Sequence, residues 1–204
     1  ALLAFLANHF LWPSWEFLNI PNQLEKSIKA NQDYLKEIAT FYNKKGSIST
    51  SYRLARKNAF IEIGNLMASF QRMSQEPKSK QKQLPQVYKL AVLNHTLLSS
   101  LASLGTYIQS HKTTAASEAF NAVVSTVYKN LDHAIAILMK NDSNFKGNTP
   151  KEELAMHFTA LKSISEKELK EGNPIEEEAF QLKMQEAQLV IEQLIWLINL
   201  SENI

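Results

Sequence analysis

Apolar residues recur along this chain at spacings of three, four and seven, the mark of helices that bury one face. Over residues 22–45 the stripe is Leu24, Ile28, Leu35, Ile38 and Tyr42, with Asn31 on the same line. Asn22 followed by Glu25 reads as a capping box, and Gly46 as a left-handed stop. Residues 50–74 set Tyr52, Ala55, Ala59, Leu66, Phe70 and Met73 on one side. A third helix is predicted to start at Pro85 and to carry Leu90, Leu97, Leu101, Leu104 and Ile108. A fourth, near 115–140, carries Phe120, Val124, Val127, Leu131, Ile135 and Leu138. Thr149, Pro150 and Glu152 open a fifth as cap, first residue and box partner, and Asn173, Pro174 and Glu176 repeat that grammar for a sixth. No window alternates with period two over a strand's length, so no sheet is predicted. The expected fold is all-α, an antiparallel up-down bundle of about six long helices joined by mostly short loops.

Five Gly and six Pro in 204 residues leave few breaks, consistent with long elements. Gly64 and Gly105 fall inside helices two and three. Each costs about 1 kcal/mol against Ala there, which close approach of two helices would offset. Residues 187–200 are apolar nearly all round, as expected of a deeply buried helix or one heading toward a membrane.

The chain opens on an apolar run through Phe10-Leu11-Trp12-Pro13. A full membrane span needs about 20 apolar residues, more than this run supplies, and the basic region and cleavage site of a signal peptide are missing. Two readings are open. In one, residues 1–15 are the end of a transmembrane or juxtamembrane helix, with Trp12 and Trp15 in the interfacial belt and Pro13 as the stop. In the other they form an ordinary amphipathic core helix. Residues 16–204 are expected to make a single cytosolic helical-bundle domain.

Charge sharpens this picture. Residues 1–112 hold 14 Lys/Arg against 6 Asp/Glu, and residues 113–204 hold 8 against 14. A chain so divided suits intramolecular pairing, or a basic face near an anionic surface. It is too weakly basic overall for nucleic acid, and its cations are not interleaved with aromatics on one face. With no Cys there is no disulfide framework, thiolate nucleophile or Cys-bound zinc.

Apparent chemical motifs do not hold together. Asp142, Asn144, Gly147 and Glu153 match positions 1, 3, 6 and 12 of a calcium loop, but Lys146 puts a cation where position 5 needs an oxygen. His95 reads as a core-edge residue without a second ligand. Glu153 and His157 are half a metal site with no second half. No phosphate loop, nucleophile elbow or zincin motif is present. No enzyme activity and no cofactor are therefore expected.

The stretch that stands out is helix two and its exit. Arg53 and Arg56 lie one turn apart, and Arg72, Lys78, Lys80 and Lys82 follow at the other end. Paired arginines can fork onto carboxylates or phosphates, so Arg53, Arg56, Arg72, Lys78 and Lys80 are the candidate anion-binding or interaction residues. The bland alternative is pairing with acidic residues of neighbouring helices.

Several segments together resemble a known family. They are Phe10-Leu11-Trp12-Pro13, Tyr34-Leu35-Lys36-Glu37-Ile38, Tyr52-Arg53-Leu54-Ala55-Arg56-Lys57, Phe70-Gln71-Arg72-Met73 running into Glu76-Pro77-Lys78-Ser79-Lys80-Gln81, and Leu93-Asn94-His95-Thr96-Leu97. Their order is similar to that in the soluble segment of the YccS-like branch of the fusaric-acid-resistance (FUSC) family, over roughly the first 110 residues. The resemblance implies a bacterial inner-membrane parent with two membrane-embedded halves as partners and this domain on the cytoplasmic side. It implies a transporter of the aromatic-acid-efflux kind, in which this part has a structural, assembly or regulatory role and can form a homo-oligomer. A basic half directly after the apolar run fits the positive-inside rule. The alternatives are a ligand-sensing domain, in which Arg53, Arg56 and Arg72 meet an aromatic carboxylate or other anion, and a free-standing soluble helical adaptor.

Overall fold

In the computed structural model, which describes residues 15–44, 47–110, 118–139 and Ile204, every element among the described residues is a helix. Four are present: α1 (Glu16–Lys44), α2 (Thr50–Gln75), α3 (Leu84–Ser110) and α4 (Glu118–Leu138). The all-α expectation agrees with this. The six-helix bundle is not supported: the expected fifth and sixth helices, the calcium-like loop and the apolar 187–200 segment all lie outside the described residues.

α1 is the hub. Its buried positions include Ser27, Ile28, Ala30, Asn31, Gln32, Tyr34, Leu35 and Ile38, an arc of roughly 200° at 3.6 residues per turn. A surface helix usually buries a narrower stripe. Three neighbours fill that arc. Tyr34 meets Tyr52 of α2, Asn31 meets Asn94 of α3, and Gln32 meets Asp132 of α4. The contacts fix directions as well. Glu16 reaches Glu76 while Tyr34 reaches Tyr52, so α1 and α2 run antiparallel. Phe70 stacks near Tyr88, and Gln109 bonds Tyr52, so α2 and α3 also run antiparallel. Tyr42 packs on Phe120 at one end of α4 while Gln32 reaches Asp132 further along, so α4 opposes α1.

The expected stripe of α1 is buried in full, but the helix begins six residues earlier than its local signals indicate. Asn22 is exposed inside the helix and Glu25 pairs with Lys29, so neither caps anything. The Glu16 amide instead donates to Glu76 Oε1 at 2.7 Å, a partner sixty positions away in sequence. Pro21 sits inside the helix. It forfeits the hydrogen bond to the carbonyl four residues back, at a cost that packing of Ile20 and Leu24 must offset. α2 is capped locally, Ser49 Oγ accepting from the Tyr52 amide at 3.1 Å. Gln83, with φ of 55°, turns the chain into α3.

The two interior glycines part company. A Cβ on Gly105 would overlap the Tyr52 hydroxyl and come within 3.1 Å of the Tyr34 hydroxyl, so close approach explains it. Gly64 is exposed and has nothing within 4 Å of such a Cβ, so the expected offset is absent there. Gly105→Ala should therefore lower the melting temperature, and Gly64→Ala should raise stability by about 1 kcal/mol. Equal shifts for the two would contradict this packing.

Asn31 and Asn94 are fully buried at the α1–α3 seam. Asn31 Nδ2 donates to Asn94 Oδ1 at 2.9 Å and to the Asn94 carbonyl at 3.2 Å. Asn31 Oδ1 and Asn94 Nδ2 have no partner. Replacing Asn31 alone by Leu strands the Asn94 amide and should cost about 1–3 kcal/mol. The double replacement should cost less than the sum of the two singles in urea unfolding. Strict additivity would show that the pair is not coupled.

Candidate functional site

The structure divides the expected cationic residues between two ends of α2. Arg53 and Arg72 are nineteen residues apart on one helix, or roughly 28 Å at 1.5 Å per residue. They cannot grip one small anion together, which corrects the grouping of Arg53, Arg56 and Arg72 around a single ligand.

At the first end lies an open groove of about 750 Å³, lined by Arg53, Arg56 and Lys57 with Tyr52, Phe60 and Gln109. The three cations fall in the first two turns of α2, exposed along a side of the helix that begins next to the buried Tyr52, Ala55 and Ala59. Arg56 Cζ stands 5.9 Å from the Phe60 ring centre. No carboxylate among the described residues pairs with any of the three cations. The amino end of a helix favours negative charge, and no acidic residue occupies the first turn. Like charges one turn apart add mutual repulsion. An anion with an apolar body would relieve both while resting on Phe60 and Ile61.

The floor of the groove leads inward through hydroxyl groups. Gln109 Nε2 donates to the Tyr52 hydroxyl at 2.7 Å, and Tyr52 and Tyr34 share a hydrogen bond at 3.3 Å beneath Gly105. Burial, reinforced by the bond to Tyr52, pushes the Tyr34 hydroxyl well above the ordinary tyrosine range, against a smaller downward pull from Arg56. Sequence reasoning found Arg53 and Arg56 but missed the rest. Phe60 was legible as the residue one turn after Arg56; Gln109 arrives only through the α2–α3 packing.

The second end holds Arg72, Lys78, Lys80 and Trp15. Arg72 Nε donates to Glu16 Oε1 at 2.6 Å and its terminal nitrogen to Ser69 Oγ at 2.9 Å. It clasps α2 to the start of α1. Lys80 Nζ lies 5.1 Å from the Trp15 ring centre, and Lys82 Nζ 5.1 Å from that of Phe17. Lys78 is exposed. Trp12 lies outside the described residues. His95 is exposed on α3 rather than at the core edge. No described helix is long and apolar enough to cross a membrane.

These features define an all-helical unit with a cationic groove at one end and a lysine-bearing loop at the other. The chain is 32% identical to the inner membrane protein YccS of Escherichia coli over 105 residues, covering 52% of this chain and 15% of that protein. It is 29% identical to an uncharacterized protein of Haemophilus influenzae over 107 residues, again 52% of this chain and 15% of the relative. The chain thus spans a small fraction of the length of the curated relatives it matches. No family model matches it, and neither does any solved structure.

A tyrosine with a raised folded-state pKa adds stability that is complete below about pH 10 and is lost as pH climbs above that value. Tyr34→Phe has no such proton to retain. Its unfolding midpoint should fall less steeply than that of the unaltered chain across this alkaline range. Parallel declines would remove Tyr34 from the account.

Proposed function

We propose that this chain is a helical module of a YccS-like inner-membrane protein of the fusaric-acid-resistance family. The module stands on the cytoplasmic side between the parent's membrane-embedded halves. Its work is to support, couple or assemble a transporter of the aromatic-acid-efflux kind, self-association included, and it carries no catalytic activity of its own. The observation that supports the reading is the similarity to YccS over half of this chain. The order of charge agrees, with the basic part of the chain directly following the apolar residues 1–12. Any translocation path belongs to other parts of the parent. The test is fractionation of the natural full-length protein, using an antibody to this module and protease added to inside-out vesicles. Recovery with the membrane and cleavage from the cytoplasmic face are expected. Recovery in the soluble fraction would reject the reading in favour of a free-standing adaptor.

A second reading is favoured by the three cations around the groove, which have no described carboxylate partner. In it the module senses an anion with an apolar body, such as an aromatic carboxylate, through Arg53 and Arg56. Benzoate serves as the probe. At one hundred times its dissociation constant it should stabilise the chain by about 2.7 kcal/mol. Arg53→Ala should abolish that shift while Arg72→Ala retains it. A melting curve unmoved by benzoate would dismiss this ligand, and loss of the shift in Arg72→Ala would contradict the assignment to the groove.

A further inference from the structure

We propose that the end of the helical unit formed by residues 15–18 and loop 76–83 rests on an anionic phospholipid surface. The inference builds on the reading of the chain as part of an inner-membrane protein and adds which face meets the lipid, and through which residues.

The first observation is how charge is sorted at this end. Its two acids among the described residues, Glu16 and Glu76, are turned inward. Glu16 Oε1 accepts from Arg72 and Glu76 Oε1 accepts from the Glu16 amide, while the remaining carboxylate oxygens, Glu16 Oε2 and Glu76 Oε2, are buried. Lys78 and Lys82 are exposed, and Lys80 is half-buried over Trp15. No Asp or Glu occurs between Glu76 and Glu118, so α3 brings none, and its second turn adds Lys89. Among the described residues the outward charge of this end is therefore positive.

The second observation is what the lysines lie on. Lys80 and Lys82 cover the rings of Trp15 and Phe17, each at 5.1 Å. Such stems keep an ammonium at the headgroup level above apolar surface, where tryptophan also favours the boundary. Leu18 is 65% exposed, the most open of the large apolar side chains among the described residues, within one turn of Trp15. In sequence, Trp15 stands three residues beyond Trp12, where the apolar run ends. Nucleic acid fits less well, because the faces that bases would stack on are taken by lysines.

The third observation is that the loop is built rather than slack. Gln81 Nε2 donates to the Ser74 carbonyl at 2.8 Å and to the Glu76 carbonyl at 2.7 Å. The Lys80 amide donates to the Pro77 carbonyl at 2.7 Å. The lysines are thus displayed with part of the ordering cost already met before docking.

The test is co-sedimentation of the 204-residue chain with phosphatidylcholine vesicles, with and without phosphatidylglycerol. One variant combines Lys78→Gln, Lys80→Gln and Lys82→Gln. A control of equal charge loss combines Arg53→Gln, Arg56→Gln and Lys57→Gln at the other end. All six side chains are at the surface or half-buried, and unchanged melting curves would verify folding. The unaltered chain should favour the anionic vesicles. The loop variant should lose about 100-fold in partitioning, the contribution of three surface lysines, and the control far less. Equal losses in both variants, or a loop variant that binds like the unaltered chain, would overturn the inference. In either case a parent that pellets with membranes leaves the module reading intact. A parent found in the soluble fraction removes that reading, and loop-dependent vesicle binding then stands alone as peripheral docking.

Discussion

The packing depends on α1 having to satisfy three neighbours at once. Burying roughly 200° of a helix leaves a narrowed polar face, here Asn22, Lys26, Lys29, Asp33 and Lys36, and other polar residues fall inside the seams. The structure answers with amide side chains that bond across the seams. Asn31 with Asn94 ties α1 to α3, and Gln32 Nε2 bonds Asp132 Oδ1 and the Tyr128 carbonyl of α4. Such pairs add little net stability, since their desolvation offsets much of the bond. Their effect is on alignment. A shift of either neighbour along α1 would leave buried amides without partners, whereas leucines sliding over leucines would lose far less. The apolar clusters on either side, one around Ile28, Leu35 and Ile38 and one around Ile20 and Leu24, supply the driving force that the amides then direct.

What was legible in the sequence follows from that division. The stripes Leu24, Ile28, Leu35, Ile38 and Tyr42, and Tyr52, Ala55, Ala59, Leu66 and Met73, are buried because helical periodicity is a local property of the chain. Asn31 was visible as a polar residue on an apolar stripe, but its partner was not. The start of α1 was misplaced because its terminal amide is satisfied by Glu76, and no local rule can anticipate a cap delivered by the end of another helix. The glycines teach the same lesson. Both look alike as helix interruptions, and only the fold shows that Gly105 faces two tyrosine hydroxyls and that Gly64 faces open space.

The candidate site was half legible for a related reason. Arg53 and Arg56 declare themselves by spacing, as do Lys78, Lys80 and Lys82 by alternation. Joining Arg72 to the first pair ignored the length of the helix between them. Once α2 is drawn as a straight element of 26 residues, the cations separate into two groups with different surroundings. One surrounds a groove with an aromatic floor and no described carboxylate; the other crowns an end whose acids are committed inward.

That separation constrains how the two ends can be related. An anion held by Arg53 and Arg56 would act on the first turns of α2, and the last turn of the same helix is clasped to Glu16 through Arg72. The link is one continuous helix, with no intervening loop to absorb a displacement. Coupling also requires an element with two stable arrangements, because a rigid rod alone transmits nothing that a ligand can bias. The buried amides make sliding of α3 and α4 along α1 costly. The α1–α2 seam is pinned at both ends: Tyr34 shares a bond with Tyr52 and Ser51 Oγ donates to Glu37 Oε2 at one, while Arg72 and the Glu16 amide bond Glu16 and Glu76 at the other, with Ala55, Ala59, Ile63 and Leu66 buried between. Sliding of α2 would break bonds at both of its ends, so this packing holds the two cationic groups at a fixed separation.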